Sequence, residues 1–277
     1  MSLIDLHLHS NFSDGSDSVK ELLDNIRFAG VKTFALTDHD TVAGCKEMAR
    51  LDFGDIKFIP AVELTCIADN LKCHLLGYNC DYNNEKLLAL IEKGKVLRRK
   101  KLEVRLKFLK DKWEIVPTKE ELDWLYSRKS VVKTHIANIL VNRGLATDNV
   151  SAMKKYLDGC KSGDSRFTLS EAVDAIKSSG GIPVWAHPLG GEGEAHDSEE
   201  KFMNNLSIMM KFGIMGLECY YSRYNQDEIS FLVKQAKLND LLITGGSDYH
   251  GKNKIGIKIA QLNVENSYVD SSSLSNF

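Results

Sequence analysis

The sequence contains no run approaching the roughly 18 consecutive apolar residues that a membrane-spanning helix requires, and only four prolines in 277 residues. A membrane partner is therefore not expected. It has no Cys-x-x-Cys pair: Cys45, Cys66, Cys73, Cys80, Cys160 and Cys219 are scattered. A chain of this length needs no disulfides for stability, so they read as reduced thiols, mostly buried. Charge of one sign is missing too, since 36 Lys plus Arg face 38 Asp plus Glu for a formal net charge of −2. Any affinity for a polyanion must come from local clustering. Asp5 and His7 stand where an export signal would need basic residues followed by an apolar run, so a cytoplasmic location is expected. What is present, 43% hydrophobic and 27% charged residues with 20 glycines, is the composition of a soluble globular protein. Disordered and fibrous classes are excluded, and the length allows one large domain or two.

Apolar periodicity places strands at Leu3 to Leu8, Thr33 to Leu36, Phe58 to Val62, Lys72 to Tyr78, Ile182 to Ala186, Gly216 to Tyr220 and Leu241 to Thr244. Helices fall between them. Two carry capping-box spacing, Ser18 with Glu21 and Thr168 with Glu171. The others expected are a short helix from Val42 to Arg50 and longer ones from Glu199 to Phe212 and Asp227 to Asn239. From Asp81 to Phe167 the pattern is helical only. This predicts an α/β barrel domain over 1–80 and 168–262, an inserted helical subdomain at 81–167, and a Ser-rich tail at 263–277. Seven short strands alternating with helices suit a parallel sheet closed or nearly closed into a barrel, with an open doubly wound sheet as the alternative. Gly190-Gly191 and Gly245-Gly246 have neither dinucleotide nor phosphate-loop spacing.

Six of the eight histidines lie in or just after predicted strands: His7, His9, His39, His74, His187 and His250. Asp14, Glu63 and Asp248 accompany them. In a parallel barrel the C-terminal strand ends converge on one face, which would bring these residues together. Imidazole and carboxylate are the donors favoured by Mn, Fe and Zn, and nine candidates suit two or three ions sharing a carboxylate. His135 and His196 fall elsewhere, His196 in an acidic loop with Glu192, Glu194 and Asp197.

Asp5-Leu6-His7-Leu8-His9-Ser10, Thr37-Asp38-His39-Asp40, Ala186-His187-Pro188 and Gly246-Ser247-Asp248-Tyr249-His250 resemble, in order, the four motifs of the PHP (polymerase and histidinol phosphatase) family. The resemblance implies a distorted seven-stranded TIM-like barrel with a trinuclear site. It implies that His7, His9, Glu63 and Asp248 hold one metal, Glu63, His74 and His187 a second, and Asp14, His39 and His250 a third, Glu63 bridging. Catalysis would rest on Glu63, His7, His9, His39, Asp248 and His250, through phosphoester hydrolysis by a metal-bridged hydroxide. Asp38 and Asp40 would either fix the tautomer of a neighbouring histidine or cap the next helix.

Thr134-His135-Ile136-Ala137 and Glu218-Cys219-Tyr220-Tyr221-Ser222 look like the branch acting on the 3′-phosphate of nucleoside 3′,5′-bisphosphates, some members of which degrade short RNA from the 5′ end. Alternatives are a 5′-to-3′ exonuclease on short single-stranded oligonucleotides, a histidinol-phosphate phosphatase, and a non-catalytic metal-binding module. Lys133, His135 and Arg143 are the candidate substrate-binding residues, with Arg166 beside them; otherwise His135 would order the insertion and the two arginines would be surface or helix-end residues. No obligate protein partner is evident. Between Lys93 and Lys112 ten basic residues face two acids. That run would steer a polyphosphorylated substrate, or else form the solvated face of a helix whose Val96, Val104 and Phe108 pack inward.

Overall fold

A computed structural model describes residues 2–191 and 195–262. The expected tail at 263–277, and Glu192 and Glu194 of the acidic loop, lie outside the described residues. The elements are β1 (Leu3–Leu8), α1 (Val19–Phe28), β2 (Val31–Leu36), α2 (Ala43–Met48), β3 (Lys57–Ala68), β4 (Leu71–Tyr78), α3 (Glu85–Trp113), α4 (Lys119–Ser127), α5 (Lys133–Asn142), α6 (Asn149–Ala152), β5 (Phe167–Thr168), α7 (Leu169–Ser178), β6 (Ile182–Trp185), α8 (Glu199–Lys211), β7 (Gly216–Tyr221), α9 (Gln226–Leu238) and β8 (Leu242–Gly246). The chain folds as α/β. Both expected capping boxes form. Among the described residues no helix is long and apolar enough to cross a membrane.

The sheet order is β1-β2-β3-β4-β6-β7-β8, with β5 paired on β3. The sheet is mixed, which corrects the expectation of a parallel one, because β4 runs antiparallel to both β3 and β6. The reason is chain length. Only Asp69 and Asn70 join β3 to β4, with Asp69 left-handed at φ 51; two residues can close a hairpin, whereas a parallel connection needs a crossover of a dozen or more. An eighth strand, the two-residue β5, also escaped periodicity.

Glu63 was expected at a strand end, but β3 continues five residues beyond it to Ala68. Val62, Leu64, Cys66 and Ala68 belong to one apolar cluster and Ile59 and Ala61 to another, as alternation across a strand requires. Two register shifts re-aim side chains. β1 advances three residues from Asp5 to Leu8 while β2 advances two, and β7 advances two from Glu218 to Tyr220 while β8 advances one. Such bulges turn side chains that simple alternation would send elsewhere.

At the other edge Leu8 bridges Tyr249 in parallel, and Asp248 N–H donates to His7 O at 2.8 Å. Asp5, buried, accepts from Ser247 N–H at 2.9 Å, Ser247 Oγ at 2.6 Å and Ala260 N–H at 2.6 Å. Burial outweighs these hydrogen bonds and pushes its carboxyl up to about 6. Gly246 lies at this seam, where a Cβ would strike the His7 amide nitrogen and sit 2.5 Å from its Cβ. Gly246→Ala should lower stability by about 1–3 kcal/mol through overpacking, visible as a reduced midpoint in thermal unfolding. An unchanged midpoint would mean that the seam yields without resistance.

Candidate metal centre

Glu63 is buried, and its carboxylate is ringed by imidazoles. Oε2 lies 3.2 Å from His7 Nε2, 3.2 Å from His9 Nε2 and 3.1 Å from His39 Nδ1. Oε1 lies 2.8 Å from His74 Nδ1 and 3.1 Å from His187 Nε2. Asp248 Oδ1 is 3.5 Å from His7 Nε2, 3.3 Å from His9 Nε2 and 3.3 Å from His250 Nδ1. Asp14 completes the ring, 3.2 Å from His250 Nε2 and 3.9 Å from His39 Nε2. All nine residues expected as ligands thus meet. Three groups of donors converge to within 4.8 Å: His9, Asp14, His39 and His250; His7, His9 and Glu63; and His39, Glu63 and His74. His9 and His39 are each shared between groups, which the sequence did not indicate.

Left-handed backbone turns three residues of this region: Asp40 (φ 49), His187 (φ 28) and Asp248 (φ 57). Such conformations cost free energy and persist where surrounding contacts over-determine them. Each has such a contact. The Asp40 amide donates to Glu63 O at 2.9 Å, the Asp248 amide to His7 O, and the His187 amide to Glu218 Oε2 at 2.7 Å.

Glu218, fully buried on β7, also accepts from His7 Nδ1 at 2.8 Å, an orientation that leaves the Nε2 lone pair facing the centre. Tyr221 donates to Asp248 Oδ2 at 2.9 Å. Neither role was legible in the sequence, where Glu218 and Tyr221 were only part of a branch-like stretch. Asp38 and Asp40 do neither thing expected of them. Asp38 accepts from Ser10 N–H (2.8 Å), Ser10 Oγ (2.7 Å) and Ser13 Oγ (2.6 Å), fastening the loop after β1. Asp40 accepts from Thr65 N–H (2.8 Å), Thr65 Oγ1 (2.7 Å) and Arg98 Nε (2.6 Å). Helix α2 starts at Val42 without a side-chain cap.

Burial alone would keep these carboxyls neutral. The facing imidazoles outweigh it and hold Asp14 and Glu63 well below the usual carboxylate range, and Lys254 and His7 do the same for Asp248. For His9, burial opposes charging, but the Asp248 and Glu63 carboxylates beside it push it up to about 9. Buried His39 goes the other way. Yet His9 Nε2, His39 Nδ1, Asp14 Oδ1 and Asp248 Oδ1 are buried without a hydrogen-bond partner. They lie close together without being aimed at one another, and buried polar atoms of this kind require something that binds them. A mixed imidazole and carboxylate set offering these atoms fits divalent Mn, Fe or Zn.

Two cavities flank the cluster. The larger, about 940 Å³, opens over Glu63, His74, His187 and Asp248, with Lys72, Lys201 and Lys254 on its walls. The smaller, about 270 Å³, lies against Asp14, His39 and His74 and is lined by Arg98, Lys101, Arg105, Lys133 and Arg166. The basic run is therefore only in part a solvated face: Lys93, Arg99, Lys100, Lys107, Lys110 and Lys112 are exposed, but two arginines are not. The buried stripe of α3 includes Arg98 and Arg105, while Val96 and Val104, expected inside, are 47% and 42% exposed. Burial, followed by repulsion from the neighbouring cations, lowers Lys101 to about 8 and Arg105 to about 10, and also lowers Lys133.

Lys133 thus lines the cavity beside the cluster, whereas the other two expected substrate residues are engaged elsewhere. His135 is buried; its Nδ1 accepts from Val132 N–H at 3.0 Å and its Nε2 lies 2.7 Å from Ser13 O, leaving no ring nitrogen for a substrate. Burial lowers it to about 4. Arg143 donates to Glu121 Oε1 at 2.9 Å and to Val116 O at 3.1 Å, among the helices. His196 is exposed in its loop, where it pairs with Glu228 at 2.5 Å.

The PHP domain family matches residues 5–169. A 5′-3′ exoribonuclease from Haemophilus influenzae is 32% identical over 89% of this chain and 89% of its own. A 3′,5′-nucleoside bisphosphate phosphatase from Chromobacterium violaceum is 28% identical over 92% and 90%. The crystal structure of a metal-dependent phosphoesterase from Bifidobacterium adolescentis superposes with a TM-score of 0.80, covering 98% of this chain and 94% of that one at 24% identity.

Two outcomes follow for the centre. Glu218→Gln should weaken metal affinity by about 10–100-fold by loosening His7, and metal titration calorimetry would measure it; wild-type affinity would remove Glu218 from that role. Because metal-free His9 holds its proton up to about pH 9, binding must displace that proton, so apparent affinity should rise with pH until about 9. Calorimetry in buffers of different ionisation enthalpy should register proton release at pH 7, and its absence would contradict a protonated His9.

Proposed function

Because this chain belongs to the PHP domain family, we propose that it, a metal-dependent phosphoric ester hydrolase, removes the 3′-phosphate from nucleoside 3′,5′-bisphosphates. The supporting observation is the juxtaposition of a candidate metal cluster with a separate cationic cavity. One wall of that cavity is Asp14, His39 and His74, and the other carries five basic side chains. A substrate with two phosphates on one ribose would place one at the cluster and the other among Arg98, Lys101, Arg105, Lys133 and Arg166. The Chromobacterium violaceum relative, a phosphatase for such a substrate, agrees with this choice.

In this reading the nine ligand residues hold two to three divalent ions, which would supply Lewis-acid chemistry, acidifying water and neutralising charge on the phosphate. Glu63 spans the ligand groups through its two oxygens. Glu218 holds a proton on His7 Nδ1 so that Nε2 stays free, and Tyr221 and Lys254 fix Asp248. The cationic cavity binds the phosphate that does not react. In this reading the 1–80 and 168–262 segments make up a barrel, which the Leu8–Tyr249 bridge supports. Residues 81–167 form an insertion, in support of which they contain an apolar cluster built wholly of their own side chains, from Leu102 to Leu157. A cytoplasmic location agrees with five buried free thiols.

A second reading, exonuclease action on short oligonucleotides, is favoured by the larger cleft. Its volume of about 940 Å³ and the lysines on its walls leave room for chain beyond the scissile phosphate. The Haemophilus influenzae relative is a 5′-3′ exoribonuclease.

The deciding experiment measures phosphate or nucleotide release from a nucleoside 3′,5′-bisphosphate, histidinol phosphate and a 5′-phosphorylated oligonucleotide, with Mn-loaded and then chelator-stripped enzyme. Chelator-sensitive preference for the bisphosphate is expected; preference for either other substrate would overturn the specific reading. Lys101, charged below about pH 8 and neutral above it, should make KM for the bisphosphate rise as pH passes 8. Lys101→Met should remove that inflection, and its persistence would take Lys101 out of substrate binding.

A further inference from the structure

The nine ligand residues are supported from two different directions. On one side, β7 supplies Glu218 beneath His7 and His187, and Tyr221 beneath Asp248. On the other side, Asp14 and His39 stand on the loops that follow β1 and β2, and helices α3 and α5 each send one buried side chain to those loops. These helices carry none of the ligands.

Two contacts are specific. His135 of α5 sits 2.7 Å from the carbonyl oxygen of Ser13, the residue before Asp14. Arg98 of α3 donates to the carboxylate of Asp40, the residue after His39, and to Thr65 Oγ1 at 3.2 Å. His135 thus holds the peptide that joins Ser13 to Asp14, and Arg98 holds the side chain of the residue after His39. The Asp40 peptide needs such restraint, being left-handed. Both side chains are buried, Arg98 at 8% and His135 at 4% exposure. A buried guanidinium satisfied by one carboxylate and one hydroxyl is a costly arrangement that favours a single geometry. Asp38 and Asn253 also grip the Asp14 loop, through the Ser10 and Ser13 hydroxyls and the Asp14 carbonyl. Nothing comparable to Arg98 holds Asp40 from the sheet except Thr65 and the Glu63 carbonyl.

We propose that Arg98 and His135 are positioning residues for the Asp14–His39–His250 ligand group, so that helices α3 and α5 govern how many ions the centre holds. The inference rests on reading the cluster as a metal centre. Loss of either contact frees a loop on this side only and leaves His7, His74 and His187 around Glu63 in place. The cationic cavity shares Arg98 with this support, so the ion count and the second-phosphate pocket depend on the same helix.

The test is ion stoichiometry without substrate. Wild type, Arg98→Met, His135→Leu, Asp14→Asn and Arg143→Ala are loaded with Mn, freed of excess by gel filtration, and assayed for bound Mn and for thermal midpoint. Asp14→Asn identifies the ion in question by its loss. Arg98→Met and His135→Leu should lose the same ion, or need more than ten times the free Mn to fill it, while retaining the others. Arg98→Lys should restore it in part. Arg143→Ala breaks a pair between α4 and the end of α5 that touches neither loop, and should keep the wild-type count. Should Arg98→Met fail to fold with Asp40 left unpaired, the Arg98→Met/Asp40→Asn protein takes its place, with the same loss expected. Folded variants with wild-type stoichiometry and an unshifted Mn titration would overturn the proposal. So would an Arg143→Ala protein that loses the ion equally. A wild-type protein that retains no Mn at all would instead defeat the metal-centre reading itself.

Discussion

One buried carboxylate organises this protein. Glu63 faces five imidazoles, His7, His9 and His39 through one oxygen and His74 and His187 through the other. A carboxylate withdrawn from water is unfavourable unless partners replace its hydration. Here the replacements come from β1, β4 and the ends of β2 and β6, so satisfying Glu63 requires those strands to converge. The same requirement explains the mixed sheet. The β3–β4 hairpin carries Glu63 and His74 on the same face, which an immediate reversal of chain direction achieves more directly than a crossover.

Convergence of so many donors creates a second demand, because imidazoles that cannot all satisfy one another leave lone pairs unclaimed. The unpartnered atoms of His9, His39, Asp14 and Asp248 are the residue of that frustration, and the left-handed turns at Asp40, His187 and Asp248 are its backbone counterpart. A fold optimised for stability alone would remove both. Their concentration at one end of the strands, within an enzyme family that depends on metals, gives them a chemical purpose: pre-set donors need little reorganisation when an ion or a phosphate arrives.

The cationic cavity follows the same logic with opposite sign. Arg98, Lys101, Arg105, Lys133 and Arg166 are gathered with few acids among them, and their mutual repulsion and burial reduce the affinity of Lys101 and Arg105 for their own protons. An anion relieves that strain. Cluster and cavity share His39 and His74 as walls, so the charge stored in one is felt by the substrate held in the other.

The sequence by itself singled out the nine histidines and carboxylates that meet in the cluster, because strand-end residues in ordered motifs keep their positions whatever the details of the sheet. It determined most element positions too, through apolar alternation and capping boxes at Ser18 and Thr168. It could not determine direction or support. Whether β4 runs parallel depends on the two-residue turn at Asp69–Asn70, and the bulges in β1 and β7 that aim His7 and Tyr221 shift the period without changing composition. Glu218 looked like part of a strand, and His135 like a substrate contact. Their partners, His7 and Ser13, lie 211 and 122 residues away, and no local pattern encodes contacts at that separation. The basic helix misled for a related reason: charge predicts exposure only while water is the alternative, and Arg98 and Arg105 instead face Asp40 and a cavity that exist only once the chain has folded.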